Sequence, residues 1–305
     1  MLSNLDNEII FKKAFTNKIV FTQFVKDIVG IDIEVAKIET EKKFDEKLGY
    51  MVTELVECID IKFDIFAESK DHRVIVEIQK VEYDYNFDRF MNYFLSAIID
   101  QQRSSILRLS SVTEKYKIEQ TVYTIVVLTA PYKIKTKDGD FIQDEVLLSK
   151  LNPQNLLGEE KKIFGRELYF LNSHDRKENT PQRYKDWLDL IYESINNPEN
   201  PNINISNQGI KKASELIDKD MLTNEERTLM KEYEGRKVVL RNEREEGQKE
   251  KSEEIAIVMF SENEPIEKIV KYTGLTTNEI EEIINSQILS RELKTKISPE
   301  DEEKE

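Results

Sequence analysis

Apolar residues open the chain at helical intervals: Phe11, Phe15 and Ile19 follow one another in steps of four, with Glu8 three residues ahead. That period predicts one or two helices between residue 5 and about residue 29, ending near Gly30, with Glu8 on the apolar, core-facing stripe. The pattern then shortens. Residues 36–68 read as β-rich, and the clearest strand is VTELVECIDIKFDIFAE. RVIVEIQK (73–80) reads as the next strand, joined to the first by a short polar loop. Helical spacing returns from Phe87 to about Ser105. EQTVYTIVVLTA (119–130) is mostly apolar and rich in β-branched residues, as expected of a buried strand, and Pro131 ends it. IFGRELYFLN (163–172) predicts a further strand, and PQRYKDWLDLIYESI (181–195) a helix entered through proline.

These elements predict an α/β core over residues 1–195, with a central sheet flanked by helices. NNPENPNINISN (196–207) is polar, carries two prolines and marks the expected boundary. Residues 196–260 then read as a linker and a charged helical region, in which the run 241–254 is a solvated helix. Within 261–290, Pro265 opens one short helix, Gly274 closes it, and Thr276-Thr277-Asn278-Glu279 starts another as a capping box. The second helix buries Ile280, Ile283 and Ile284 and carries Glu279, Glu281 and Glu282, which repel phosphate. This helix-turn-helix-like hairpin is therefore read as a packing or self-association element, giving a homo-oligomer as the expected assembly. Residues 291–305 read as an acidic disordered tail.

Composition narrows the class. The 305 residues are 39% hydrophobic, with 14 Phe and 12 Tyr, enough for one substantial core and a smaller appendage. No apolar run approaches the roughly 20 residues needed to cross a bilayer, and MLSNLDNEII lacks the basic-then-apolar order of a signal peptide. Cys58 is the only cysteine, so intrachain disulfides and cysteine metal cages are excluded, and a reducing cytoplasm is expected. The net charge of −15 argues against a generally adhesive nucleic-acid binder, though not against local phosphate contacts. The chain has no glycine-rich phosphate loop, which speaks against an NTPase.

The chemistry concentrates on the two adjoining strands. In Ile59-Asp60-Ile61-Lys62-Phe63-Asp64-Ile65 strict alternation puts Asp60, Lys62 and Asp64 on one face. In RVIVEIQK the same period puts Ile75, Glu77 and Gln79 together. If Ser69–His72 form a four-residue hairpin loop, Glu68 pairs with Arg73, and counting back sets Asp64 opposite Glu77. Opposed residues of an antiparallel pair have Cβ atoms about 5 Å apart. Two carboxylates that close repel unless a cation neutralises them, and a divalent metal is the natural candidate. The Gln79 amide, two residues on, is placed to orient a water or a phosphate. Glu8 adds a third acid, costly on an apolar stripe unless paired or metal-bound. Cys58 reads as a core residue, His72 and His174 as surface histidines, and Gln101 and Gln102 as solvent-exposed.

Glu8-x-x-Phe11-Lys12-x-x-Phe15, Asp64 on one strand, Glu77-Ile78-Gln79 on the next and the following FDRFMNYFLSAIIDQQ together resemble the PD-(D/E)XK nuclease superfamily. Within it, the pattern is similar to the recombination-promoting nuclease (Rpn) family of transposase-like proteins, over roughly residues 6–130. The resemblance implies a restriction-endonuclease-like fold and a DNA endonuclease tied to recombination or transposition. Asp64 and Glu77 would bind Mg²⁺ or Mn²⁺, and Glu8 would support them; Lys12 and Arg89 read either as contacts to the phosphate backbone or as ordinary helix-surface charges. Gln79 stands where the superfamily has lysine. Glutamine has no titratable proton, so water activation would fall to the metal and the substrate phosphate. That departure and the acidic charge favour a rival reading, a nuclease-fold DNA-binding or assembly protein without cleavage.

Overall fold

The computed structural model describes residues 1–35, 37–43, 62–79, 90–99, 120–130, 134–135, 141–142, 144–161 and 163–286. Among these the chain forms two compact units, Met1–Met230 and Lys231–Glu305.

The first unit is a mixed α/β structure. Helix α1 (Glu8–Phe15) starts on Asn7, whose side chain accepts the Ile9 amide, and α2 (Lys18–Val29) starts on Asn17 in the same way. Gly30, at φ 84°, closes α2 in the left-handed conformation that glycine adopts without strain. Thr16 and Asn17 break the run between the two helices. Phe11 and Phe15 are fully buried, but Ile19 is 52% exposed, so the single stripe read through Ile19 ends at the break.

Six strands follow: β1 (Ile38–Lys43), β2 (Lys62–Glu68), β3 (His72–Gln79), β4 (Thr121–Leu128), β7 (Val146–Lys150) and β8 (Glu167–Asn172). They form one sheet in the order β1-β2-β3-β4-β8-β7. β3, β4 and β8 run parallel, and the remaining neighbours are antiparallel. β5 (Ile134–Lys135) and β6 (Phe141–Ile142) make a separate two-stranded ribbon. The parallel strands are apolar on both sides, as sheets covered on two faces are. One face carries Ile65, Val74, Val76, Ile125, Val127 and Leu171 against α1, α2, α4 (Gln182–Asn196) and α5 (Gln208–Leu216). The other carries Ile75, Val122, Val126 and Phe170 against Phe90, Phe94 and Ala97 of α3 (residues 90–99). Each fully buried large apolar side chain contributes about 1.5–3 kcal/mol.

Trp187 anchors the first face. Its ring packs edge-on against Phe24, and its indole N–H donates to Asp27 Oδ2 at 2.8 Å. Asn207 donates to the same oxygen, which binds the start of α5 to α2. An added Cβ at Gly209 would lie 2.7 Å from Gln23 Cβ and 3.0 Å from the Trp187 ring, so only glycine allows α5 this close. Residues 196–207 therefore lead into an element of the core. The first unit continues to Met230 rather than ending near residue 195.

The second unit contains most of α6 (Asn224–Ser261), α7 (Ile266–Thr273) and α8 (residues 277–286). Its core is small: Ala256, Ile269, Leu275, Ile280 and Ile284. The expected hairpin is present, with Gly274 at φ 73° between its helices. The capping box forms as well: Thr276 N–H donates to Glu279 Oε2 at 2.8 Å, and Glu279 N–H to Thr276 Oγ1 at 3.3 Å. Residues 241–254 lie within α6, largely exposed. The tail 291–305 lies outside the described residues. No described helix is long and apolar enough to cross a membrane.

Candidate functional site

The β2–β3 hairpin follows the expected count. Ser69 N–H donates to the His72 carbonyl at 2.8 Å, closing a four-residue loop, and Glu68 pairs with Arg73. The register runs on through Phe66–Ile75 to Ile65–Val76, and the ladder stops there. One step further, side chains replace it. Asp64 N–H donates to Glu77 Oε1 at 3.2 Å, and Ile78 N–H donates to Asp64 Oδ2 at 2.9 Å. Each acid reaches across to the backbone of the other strand, so the structure brings Asp64 and Glu77 together where β2 and β3 part.

The alternation of β2 breaks at this point. Phe63 packs in the cluster facing α3, while Ile65 and Ala67 pack in the cluster facing α1 and α2. Strict alternation through Phe63 and Ile65 therefore does not hold, because Asp64 uses its side chain where a regular strand would use its backbone. The neighbouring strand is distorted at the same level. Thr40 pairs with Ile65 and Lys42 with Phe63, which sets Glu41 beside Asp64. Glu41 has φ 56°, a left-handed conformation uncommon for a residue with a side chain.

Lys12 enters from α1 and connects the acids. It hydrogen-bonds Glu8 one turn earlier, lies 3.3 Å from Glu41 Oε1 and 3.8 Å from Asp64 Oδ1, and its side chain is only 13% exposed. Burial pushes the ammonium pKa down, but the Glu8 hydrogen bond and the charges of Glu8, Asp64 and Glu41 outweigh it, and the net shift is upward. Lys12 is therefore a fixed cation at neutral pH and no base. Glu8 differs from its expected environment. It opens α1, where an acid suits the positive end of the helix, and its side chain is 33% exposed and held by Lys12. Its link to Asp64 runs through that ammonium.

Glu77 is 5% exposed, and Gln79 is half-buried at the end of β3. The Gln79 carbonyl accepts the Thr129 amide at 3.0 Å, joining β3 to the end of β4. Thr129 in turn accepts His174 Nε2 at 2.9 Å, and the His174 ring packs edge-on against Tyr192. His174 is thus half-buried at the carboxyl ends of the parallel strands rather than a surface residue, because the turn after β8 folds it onto α4. His72 is also half-buried, against Tyr123, since the tight loop makes it the first residue of β3. Arg89, Asp60, Cys58, Gln101 and Gln102 lie outside the described residues.

The sequence reading missed Glu41, the linking role of Lys12 and the place of His174. The spacing of Glu8 and Lys12 on one helix face was a usable signal. Glu41 offered none, because its alignment with Asp64 cannot be counted across residues 44–61.

Among the described residues no group of three or more His, Cys, Asp or Glu is arranged to hold a metal ion. The donors present, Asp64 and Glu77, are hard carboxylate oxygens on adjacent strands. They fit a cation that keeps most of its waters and takes one or two protein carboxylates, as Mg²⁺ does. Compared with protein-family models, curated proteins and solved structures, the chain matches none.

Proposed function

We propose that the chain is a metal-dependent DNA endonuclease with a PD-(D/E)XK-type centre, acting in recombination or transposition. The observation that carries this reading is the crossed pair Asp64–Glu77 at the parting of β2 and β3, with the ammonium of Lys12 beside it. Asp64 and Glu77 would hold Mg²⁺ or Mn²⁺. The cation supplies Lewis acidity toward the scissile phosphate and a more acidic water. The backbone amides of Asp64 and Ile78 orient the two carboxylates. Lys12 offsets the charge of Asp64 and Glu8, and the Gln79 amide is placed to orient water or phosphate. In-line displacement would leave a 3′-hydroxyl. A DNA substrate and a lone cysteine suit a cytoplasmic protein, and the C-terminal helices remain the proposed surface for self-association.

A second reading rests on Lys12 as well. An ammonium already neutralises part of the acidic cluster, and glutamine occupies the lysine position. Both suit a nuclease-fold protein that binds DNA or partners without cutting. Nicking of supercoiled plasmid with Mg²⁺ or Mn²⁺, with and without EDTA, separates the two. The nuclease reading expects nicking that EDTA abolishes, and its rival expects DNA retention without nicking.

A further inference from the structure

The sheet face against α3 is apolar except toward one end. Thr124 alternates with Val122 and Val126 along β4, and Arg166 continues the alternation of Leu168 and Phe170 just before β8. Thr124 pairs with Leu168, and Tyr123 with Glu167. Arg166 and Thr124 therefore stand on neighbouring strands, one pleat apart on the same face. Both are buried, Thr124 at 0% exposure and Arg166 at 8%. Among the described residues, neither Thr124 Oγ1 nor Arg166 Nε has a hydrogen-bond partner. Burial pushes the guanidinium below the ordinary arginine range, and among the described residues no neighbouring charge holds it up.

The adjacent strand shows the contrast. Arg73, opposite Val122 on β3, is 3% exposed, but Glu68 holds its Nε at 3.1 Å. Among the described residues, one buried arginine on this face has an acid and the other has none. Arginine does not shed its proton in proteins, and a buried donor left without an acceptor is costly. An oxyanion would supply the missing acceptor.

We propose that Arg166 and Thr124 form a site for a single phosphate-class oxyanion, with the guanidinium as charged donor and the threonine hydroxyl as neutral donor. The site lies toward the amino-terminal ends of β4 and β8, whereas Glu77 and Gln79 lie at the carboxyl end of β3. It stands independently of the nuclease reading. The oxyanion has two possible sources, free phosphate or the terminal phosphate of a polynucleotide.

The test is thermal melting and titration calorimetry of the full chain with inorganic phosphate replacing chloride at constant ionic strength. Phosphate stabilises any protein weakly by exclusion from its surface, so the saturating part of the response, compared between variants, is the readout. Wild type should show saturable stabilisation. Arg166→Met should bind phosphate about tenfold or more weakly, as expected on losing a charged hydrogen bond. Thr124→Val should fold at least as well without phosphate and bind it more weakly. Competition by a 5′-phosphorylated oligonucleotide, but not by its unphosphorylated form, assigns the source to nucleic-acid ends; saturation by phosphate without such competition assigns it to the free ion. A non-saturating response, or equal saturation in wild type and both variants, overturns the site. If Arg166→Met does not fold, unchanged saturation in Thr124→Val overturns it alone.

Discussion

At the scale of single residues, the cluster around Asp64 is an ion network before it is a metal centre. Asp64 accepts the Ile78 amide and faces Lys12. Asp64→Ala should therefore destabilise the metal-free protein, by about 1–3 kcal/mol, since it leaves a buried amide without an acceptor and an ammonium with one acid fewer. Repulsion between two bare carboxylates would give the opposite sign, and a rise in the metal-free melting temperature would support it. Lys12→Met should cost a similar amount near neutrality. The sign of its pH dependence follows from the raised pKa. The Lys12 contribution is complete below its ordinary value of 10.5 and disappears as pH climbs through the higher folded value. The stability gap between wild type and Lys12→Met should thus hold from neutrality to about pH 10 and close only in more alkaline solution, as denaturant melts across that range would read.

At the scale of elements, local signals and their absence divided what the sequence could reveal. The hairpin register was legible because a short loop fixes it, and counting one step past its last pair brought Asp64 and Glu77 together. The alternation of β2 was not, because the face change at Phe63 depends on side chains displacing the ladder. The glycine ends at Gly30 and Gly274 and the Thr276–Glu279 box were legible, whereas the asparagine caps Asn7, Asn17 and Asn207 went unread. Thr223 and Glu226 form a second capping box at the head of α6, with amide-to-side-chain bonds of 2.9 and 3.1 Å, and Lys13 pairs with Glu226 at 2.6 Å. Burial pushes the Glu226 carboxyl up, but the Lys13 bond and the Thr223 amide outweigh it and hold it below the ordinary value. Its contribution is present above that value and fades as pH falls through the lowered one. Thr223→Ala should cost about 1 kcal/mol, and amide exchange should speed up in the first turn of α6. Unchanged protection there would mean that the cap carries no weight.

At the scale of the whole molecule, the two units have unequal cores. The first is built around Trp187 and its ring of phenylalanines, while the second rests, among the described residues, on five buried ones. Small cores bury too little surface to hold firmly. Part of the helical circular dichroism should therefore be lost on heating before Trp187 fluorescence changes, and coincident transitions by both probes would contradict the division. A central sheet flanked by helices was legible from periodicity, but β5, β6, β7 and α5 were not, being short or following a polar segment. The extent of the first unit was not, since a polar, proline-containing segment resembles a linker until Asn207 and Gly209 are seen docking α5 onto α2. Cation-dependent cleavage at Asp64 is tested by plasmid nicking with wild type and Asp64→Asn in Mg²⁺ or Mn²⁺, with melting temperatures taken alongside. Asparagine keeps an acceptor for the Ile78 amide and removes the charge that would hold the cation. Wild type should nick in an EDTA-sensitive way and a folded Asp64→Asn protein should not nick at all; equal nicking by the two rules out a metal site at Asp64.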